Sequence, residues 1–249
     1  MRLTVIGCSG SIPGPDSPAS CYLFEEQGFR LVLDLGSGAL GPLQRHTPLT
    51  GIDAICLSHL HADHCLDLCP LWVAQIYAPD GPRPRIPVSG PDGTPERLAR
   101  AYGFTEAPGM TGAFEFGTLQ SGRRQIGPFD ITLTRMNHPV ETYGFRVAAA
   151  GRAIVYSADT GPSDALVSLA QDADLLLCEA SFLDGPGLPE NLHMSARQAA
   201  EHAARAGVGQ LMLTHLAPWN DRERSRDEAA AAYHGPLALA TSGLVVDLG

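Results

Sequence analysis

Short apolar runs of three to six residues recur along the chain, separated by polar residues, Gly and Pro. Runs of this length that are rich in Val, Ile and Leu are typical of buried strands. The predicted strands comprise residues 3–6, 21–24, 31–33, 52–57, 131–133, 143–147, 153–156, 175–177, 211–213 and 244–246. The Glu-Glu-Gln-Gly sequence at residues 25–28 predicts a hairpin turn between the second and third of these strands.

Other segments have helical spacing and begin with residues that can cap a helix. Ser195 can cap a helix over residues 195–206, where Ala is abundant, and Asn220-Asp221 precedes a predicted helix over residues 222–233. Further predicted helices cover residues 66–76, 94–101 and 163–169. Paired strands in the first half, and alternating strands and helices in the second, predict an α/β or α+β fold with helices covering the sheets.

Residues 78–91 contain five prolines and are predicted to form an irregular loop, because Pro interrupts both sheet ladders and helices. No internal repeat or low-complexity tract divides the chain, which predicts one domain over residues 1–249. With 44% hydrophobic residues, a chain of this length can bury a core without disulfides or other cross-links. Its apolar runs are far shorter than the ~20 residues of a membrane span, and the N-terminus lacks a secretory signal, which predicts a cytoplasmic protein without membrane contact.

The charge balance narrows the choice of partners. All 17 basic residues are Arg, against 27 acidic residues, for a net charge of −10. Non-specific binding to nucleic acids depends on an excess of basic side chains, so a long nucleic acid is disfavoured as a partner. The six cysteines form no CxxC pair and are predicted to be reduced and mostly buried.

An HxHxDH motif, comprising His59, His61, Asp63 and His64, directly follows the apolar run at residues 52–57. Residues i and i+2 of an extended segment point the same way, so His59 and His61 can bind one metal ion. The turn that follows brings Asp63 and His64 towards a second ion. Imidazole and carboxylate groups are ligands that zinc, manganese and iron accept, so the motif predicts a metal site.

His138, Asp159 and His215 each lie just beyond an apolar run. This is the edge of the sheet at which α/β proteins place their chemistry, so these residues are further candidate ligands. Three other histidines lie in polar loop or helix-surface contexts and are predicted to be solvated: His46, His202 and His234.

Cys65 and Cys69 lie one helical turn apart, directly after the HxHxDH motif. A thiolate is a good zinc ligand, but the stretch from residue 65 to residue 70 is otherwise apolar. Both cysteines are therefore predicted to be packing residues.

The HxHxDH motif, followed in order by His138, Asp159 and His215, resembles the metallo-β-lactamase superfamily over nearly the whole chain. The chain is further similar to the tRNase Z-like branch of metal-dependent phosphodiesterases. Five stretches carry this second similarity: GCSGSIP at residues 7–13, GPDGT at 90–94, YSADT at 156–160, CEASF at 178–182 and HMS at 193–195. The resemblance implies a four-layer αβ/βα sandwich, in which helices flank two mixed sheets.

The resemblance also implies roles for individual residues. His59, His61 and His138 would hold one divalent ion, Asp63, His64 and His215 would hold the other, and Asp159 would bridge the two. Zinc is the first expectation for both ions, with manganese or iron as alternatives. A hydroxide between the ions would be the nucleophile, and Asp63 could accept the proton of the water that forms it. His193 would contact the scissile phosphate and protonate the leaving oxygen, and Glu179 would orient the His193 ring.

The sequence departs from the pattern of enzymes that process tRNA 3′ ends. Those enzymes commonly carry a basic arm between the third metal histidine and the bridging aspartate, but only 20 residues separate His138 from Asp159. Residues 13–18 also lack the Arg-Asn pair of the N-terminal loop in those enzymes. Residues 7–18 and 135–141 are instead similar to compact bacterial relatives that include cyclic-nucleotide phosphodiesterases.

We therefore expect a phosphodiesterase that acts on a small phosphodiester such as a 3′,5′-cyclic nucleotide. Three alternatives stay open: an endonuclease for RNA 3′ ends, a hydrolase of thioesters, lactones or β-lactams, and a metal-binding module without catalysis. The compact relatives tend to be homodimers, but no feature of this sequence decides whether this chain dimerises.

Overall fold

Two mixed β-sheets pack face to face in the structure, a computed structural model that describes residues 1–79, 81 and 83–249. The first sheet contains β1 (Arg2–Gly7), β2 (Cys21–Glu26), β3 (Phe29–Leu33), β4 (Ala54–Cys56), β5 (Ile86–Gly90), β6 (Phe114–Thr118) and, at its other edge, β14 (Val245–Asp247). The second sheet contains β7 (Gly122–Ile126), β8 (Phe129–Arg135), β9 (Tyr143–Ala149), β10 (Arg152–Tyr156), β11 (Leu175–Glu179), β12 (Leu211–Thr214) and β13 (Leu237–Leu239).

The two sheets share one pairing pattern. The strand order is β14-β1-β2-β3-β4-β5-β6 in the first sheet and β13-β12-β11-β10-β9-β8-β7 in the second. In each sheet, among the described residues, three antiparallel pairings adjoin three parallel ones. Most of the polar residues singled out above lie at the carboxyl ends of parallel strands, whereas His138 follows β8, whose pairings are antiparallel.

The main core lies between the sheets. Alternate residues of β8, beginning with Phe129 and Ile131, point inwards and are buried together with Leu3 and Val5 of β1. Aromatic rings bridge the sheets, since the ring centroids of Tyr22 and Tyr156 are 4.7 Å apart. Burial of these apolar side chains is the main force holding the two sheets together.

Helices cover the outer face of each sheet. The described helices are α1 (Leu40–Leu43), α2 (Ala62–Cys65), α3 (Leu68–Ile76), α4 (Thr94–Tyr102), α5 (Asp164–Ala170), α6 (Ala196–Ala206) and α7 (Arg222–Ala230), with a 3-10 turn at Leu49–Gly51. Residues of α1, α3 and α4 pack in an apolar cluster on the first sheet, and residues of α5, α6 and α7 pack in one on the second. The four-layer αβ/βα sandwich is confirmed.

The predicted start of α6 is also present. The Ser195 hydroxyl accepts from the Gln198 N–H, the Gln198 side chain accepts from the Ser195 N–H, and Gly207 ends the helix in the left-handed conformation. This reciprocal cap fixes the backbone directly after His193.

The prediction that residues 78–91 form one irregular loop was wrong in part, because Ile86–Gly90 is strand β5 between β4 and β6; residues 80 and 82 of that segment lie outside the described residues. Pro87 is tolerated because β4 is short. Only Val88 and Ser89 of β5 pair with β4, so Pro87 lies where β6 is the sole neighbouring strand. A sequence pattern does not show where the neighbouring strand ends.

Three further strands, β6, β7 and β13, were absent from the predicted set. β6 and β7 end their sheets and alternate polar with apolar residues weakly, and β13 has only three residues. No helix in the described part of the chain combines the length and the apolar character needed to cross a bilayer.

The prediction that His202 is solvated was also wrong. His202 is buried, its Nδ1–H donates to the Gln198 carbonyl oxygen at 2.7 Å, and its Nε2 accepts from the Ser163 N–H at 3.0 Å. The ring joins α6 to the start of α5, whereas His46 and His234 are exposed as predicted.

Candidate metal centre

The seven candidate ligands meet at one edge of the sandwich. His59, His61, Asp63 and His64 follow β4, and His138 follows β8. Asp159 and His215 follow the parallel strands β10 and β12 in the same way. The fold thus brings residues from four separate strand ends into two groups of ligand atoms, with every atom of a group within 4.8 Å of the others.

The first group contains His59, His61, His138 and Asp159. His61 Nδ1 lies 3.0 Å from His59 Nε2 and 3.3 Å from His138 Nε2. Asp159 Oδ2 completes the group at 3.5 Å from His59 Nε2. Three ring nitrogens and one carboxylate oxygen therefore face a common point.

The second group contains Asp63, His64, His215 and again Asp159. Asp63 Oδ2 lies 3.1 Å from His215 Nε2 and 3.4 Å from His64 Nε2. The other oxygen of Asp159, Oδ1, lies 3.2 Å from His64 Nε2 and 3.5 Å from His215 Nε2. Asp159 therefore directs one carboxylate oxygen to each group.

The hydrogen bonds on the far side of the rings show which nitrogens face inwards as lone pairs. His138 Nδ1–H donates to the Leu192 carbonyl oxygen at 2.8 Å. The Ser181 hydroxyl donates to the His215 carbonyl oxygen, so it accepts from His215 Nδ1–H at 2.7 Å. The Nε2 atoms of both rings are left as acceptors towards the centre.

This arrangement fits a metal ion. Asp159 Oδ1 is buried and has no hydrogen-bond partner of good geometry among the described residues. The Ser11 N–H donates to His215 Nε2 at 3.4 Å, but several inward acceptors that face one another in a buried site would still be unfavourable, because acceptors left unpaired there are costly. A cation between them removes that cost, and His and Asp are a ligand set that divalent metals accept.

Asp34, at the end of β3, orients part of the centre and was not singled out from the sequence. Its Oδ2 accepts from His64 Nδ1, the Ser58 hydroxyl and the Tyr156 hydroxyl, each at 2.8 Å, and its Oδ1 accepts from the Ser58 N–H at 2.6 Å. Because the Ser58 hydroxyl donates to Asp34, it accepts from His59 Nδ1 at 3.0 Å. Asp34 thus fixes the inward nitrogens of His64 and His59, one in each group.

We expect Asp34→Asn to weaken zinc binding by about 10- to 100-fold, the usual effect of losing a carboxylate behind a metal-binding histidine. An amide has one acceptor oxygen, so it cannot accept from all four donors. Competition with a chromogenic chelator measures the affinity. Asp130→Asn changes an exposed aspartate of β8 and is the matched control; equal affinities in the two variants would contradict this role of Asp34.

Backbone strain is concentrated around the same residues. Asp34, Ala158 and His215 have φ values of 59°, 52° and 53°, in the left-handed region that residues other than Gly rarely adopt. Gly36 allows a close approach, because a Cβ at this position would lie 1.9 Å from the Asp63 carbonyl oxygen. These conformations aim the side chains at strand ends towards one point.

The electrostatics of the centre favour neutral ligand rings and ionised carboxylates. Burial lowers the pKa of His59, His61 and His138, and metal binding requires the neutral ring. Burial alone would raise the pKa of Asp159, but the nearby His215 and His64 rings hold it well below its usual value. His64 differs, because Asp159 and Asp34 raise its pKa despite its burial. The carboxylates therefore attract positive charge at this position.

His193 and Glu179 form a pair beside the two groups. His193 Nδ1 lies 2.8 Å from Glu179 Oε1, and the His193 ring centroid is 5.6 Å from that of His138 and 5.4 Å from that of His215. Burial opposes the charge on the ring, but the Glu179 carboxylate outweighs it and raises the pKa of His193 to about 9. The His193 ring is therefore favoured to carry a proton at neutral pH.

Glu179 is a poor metal ligand although its oxygens lie near His193 and His215. Oε1 accepts from the Thr160 N–H at 2.8 Å as well as from His193, and Oε2 accepts from the Ser181 N–H at 3.2 Å. These bonds occupy the lone pairs of Glu179 that a metal ion would need, and one of them holds the His193 ring.

The two cysteines next to the motif lie outside both ligand groups of the described chain. Cys65 is buried in the apolar layer between the first sheet and its helices, where burial raises the pKa of its thiol to about 12, and Cys69 packs against that layer.

The structure brings all nine candidate site residues together: the seven candidate metal ligands, His193 and Glu179. Four residues behind them were given no role from the sequence: Asp34, Ser58, Tyr156 and Ser181. Tyr156 and Ser181 lie within the YSADT and CEASF stretches, Ser58 directly precedes the HxHxDH motif, and Asp34 follows an apolar run.

Comparison with known proteins agrees with this geometry. The model of the beta-lactamase superfamily domain matches residues 30–216. The chain belongs to this superfamily. The uncharacterised protein ML1173 of Mycobacterium leprae is 44% identical over 254 residues, covering 100% of this chain and 89% of that protein.

Two further relatives of this chain have names that indicate an enzymatic activity. The probable metallo-hydrolase YhfI of Bacillus subtilis is 33% identical over 248 residues, covering 98% of this chain and 99% of YhfI. Its crystal structure has a TM-score of 0.88 at 31% identity, covering 98% of each chain. A ribonuclease Z of Mycobacterium bovis is 29% identical over 273 residues, covering 96% of this chain and 95% of that enzyme. The chain is a metal-dependent hydrolase of the β-lactamase superfamily with tRNase Z-like relatives.

Proposed function

We propose that this protein is a phosphodiesterase with two divalent metal ions that hydrolyses a small phosphodiester, such as a 3′,5′-cyclic nucleotide. The observation that carries the proposal is the division of the Asp159 oxygens between two ligand groups. One ion, most simply zinc, would be held by His59, His61 and His138, and the other by Asp63, His64 and His215. Bound there, the ions would lower the pKa of a water between them and neutralise charge on the phosphate oxygens.

Side chains of the protein would carry out the two proton transfers. The Asp63 carboxylate lies at the second group and could accept a proton there. The nearby His215 and His64 rings lower its pKa despite partial burial, which keeps the carboxylate ionised. His193 lies at the side of the centre and can donate a proton to the leaving oxygen. A sugar alkoxide is a poor leaving group, so a histidine held protonated by Glu179 fits a phosphodiester better than an activated carbonyl substrate.

A small substrate is favoured by the segment between His138 and Asp159. Strands β9 and β10 fill this segment and are joined by a tight turn at Ala150-Gly151. No tRNA-binding arm is present there in the described structure. With a net charge of −10, the protein also lacks the general excess of basic charge that binds a long polyanion.

A second candidate activity is cleavage at RNA 3′ ends, which the similarity to ribonuclease Z favours. This chain would then need to hold RNA through a surface other than an arm between β9 and β10. The two activities share the metal centre and differ in substrate size.

A substrate panel tests the proposal. Zinc- or manganese-loaded protein is offered cyclic AMP, bis(p-nitrophenyl) phosphate, precursor tRNA and a thioester, with His61→Ala as the control for contaminating enzymes. We expect turnover of both small phosphodiesters, with kcat/KM for cyclic AMP above that for precursor tRNA. Faster cleavage of precursor tRNA would favour the second candidate, and no phosphodiester turnover above the control would exclude both.

A further inference from the structure

Asn137, directly before His138, joins three loops at the edge of the centre. Its side-chain NH2 donates to the Glu190 carbonyl oxygen at 2.8 Å and to the Pro162 carbonyl oxygen at 3.2 Å. Its backbone N–H donates to Thr160 Oγ1 at 3.2 Å. One half-buried amide thus connects the end of β8 with the loop after Asp159 and with the segment that leads to His193.

The loops joined by Asn137 are in close contact. A Cβ at Gly161 would lie 2.0 Å from the Glu190 carbonyl oxygen, so the two backbones touch without room for a side chain. The Gly161 N–H also donates to the Asn137 carbonyl oxygen at 2.8 Å. Asn137 is the sole donor to the Glu190 carbonyl oxygen among the described residues. Removing its side chain would therefore release this contact.

These contacts belong to a hydrogen-bonded network around His193, the proposed general acid. Thr160, bonded to Asn137, donates its N–H to Glu179 Oε1, which also accepts from His193. The segment returns at Leu192, whose carbonyl oxygen accepts from His138 Nδ1. His138 and His193 thus belong to one hydrogen-bonded network of loop residues. Residues 185–187 and 189–191 of the segment are otherwise exposed, so few other contacts fix its path.

We propose that Asn137 is a positioning residue for the general acid: its amide holds the segment 190–193 so that His193 faces the leaving oxygen. This inference rests on the proposed phosphodiesterase activity. Because the same segment also holds His138 Nδ1 through the Leu192 carbonyl oxygen, the test is made at saturating metal. Under that condition the effect of Asn137 should appear in the steps that need the His193 proton. A p-nitrophenolate leaves without protonation, whereas the 3′ alkoxide of a cyclic nucleotide requires it.

The test compares Asn137→Asp and Asn137→Ala at saturating zinc. The aspartate keeps the side-chain size but has no hydrogen to donate to either carbonyl oxygen. We expect kcat for cyclic AMP to fall by about 10- to 100-fold, as for a catalytic group misplaced by about 1 Å, and kcat for bis(p-nitrophenyl) phosphate to change less than about threefold. Asn191→Ala, an exposed asparagine of the same segment, is the matched control and should match the wild type.

A double mutant shows whether the effect passes through His193. If it does, Asn137→Ala in a His193→Ala background should cause little further loss, because the acid it positions is already absent. Equal losses on both substrates, additive losses in the double mutant, or full activity of Asn137→Asp would overturn the inference.

Hydrogen exchange gives a readout that is independent of activity. We expect the backbone amides of residues 185–193 to exchange faster in both Asn137 variants than in Asn191→Ala. If the wild type hydrolysed neither phosphodiester, the proposed function would fail. Unchanged hydrogen exchange in the Asn137 variants would separately overturn the inference that Asn137 holds this segment.

Discussion

Asp159→Asn should lower kcat/KM for small phosphodiesters by at least about 10³-fold, because stabilisation of transition-state charge by metal ions is worth several kcal/mol. The wild-type carboxylate gives one charged oxygen to each ligand group, whereas an amide gives one neutral oxygen in all. The variant should therefore bind fewer ions per chain while keeping the size of the side chain. Steady-state kinetics and elemental analysis of the same preparations measure both effects.

The loss in Asp159→Asn should not come from misfolding. Asp159 is a buried, partly unpaired carboxylate, so the metal-free variant should melt no lower than the metal-free wild type. Adding zinc should raise the melting temperature of the wild type and have a much smaller effect on the variant, because ligand binding stabilises only a state that binds it. Asp172→Asn, at an exposed position with φ 52° that Asn accepts, is the control. A variant that kept two ions and a tenth of the activity would contradict the bridging role.

His193→Ala should lower kcat for cyclic AMP by about 10²- to 10⁴-fold, the usual contribution of a general acid, with a much smaller effect on bis(p-nitrophenyl) phosphate. The direction of the pH dependence follows from the pKa of His193. Because Glu179 raises the pKa of His193 to about 9, the acid is protonated at neutral pH and loses its proton as pH rises through that value. Wild-type activity on cyclic AMP should therefore fall above about pH 9.

Removing the partner carboxylate should move this limit. In Glu179→Gln the charge that raises the pKa is absent, so the fall in activity should begin at lower pH, towards the ordinary histidine value of about 6.5. Glu201→Gln, an exposed glutamate on α6, is the matched control and should keep the wild-type profile. An alkaline limit that stayed in place in Glu179→Gln would show that another group titrates.

The ligand residues were accessible from the sequence because their signals are local. HxHxDH is contiguous, and His138, Asp159 and His215 each follow an apolar run, so knowing where the strands end is enough to bring them to one edge. The His193–Glu179 pair came from the family resemblance, because no spacing in the chain places residue 179 against residue 193.

The remaining features depend on tertiary contacts. Asp34 is 30 residues from His64 and 122 from Tyr156 in sequence, and its role appears only when β3, β4 and β10 are neighbours of the centre. Strand β5 contains a proline that is tolerated only because β4 ends short of it. His202 lies on an Ala-rich helix that can be buried on either face, and packing against α5 decides which.

An anomalous difference map from crystals of the zinc- or manganese-loaded wild type tests the central claim most directly. We expect two peaks per chain, one among His59, His61 and His138 and the other among Asp63, His64 and His215, with the Asp159 carboxylate between them. A single peak, or a pair that does not share Asp159, would contradict the two-metal centre.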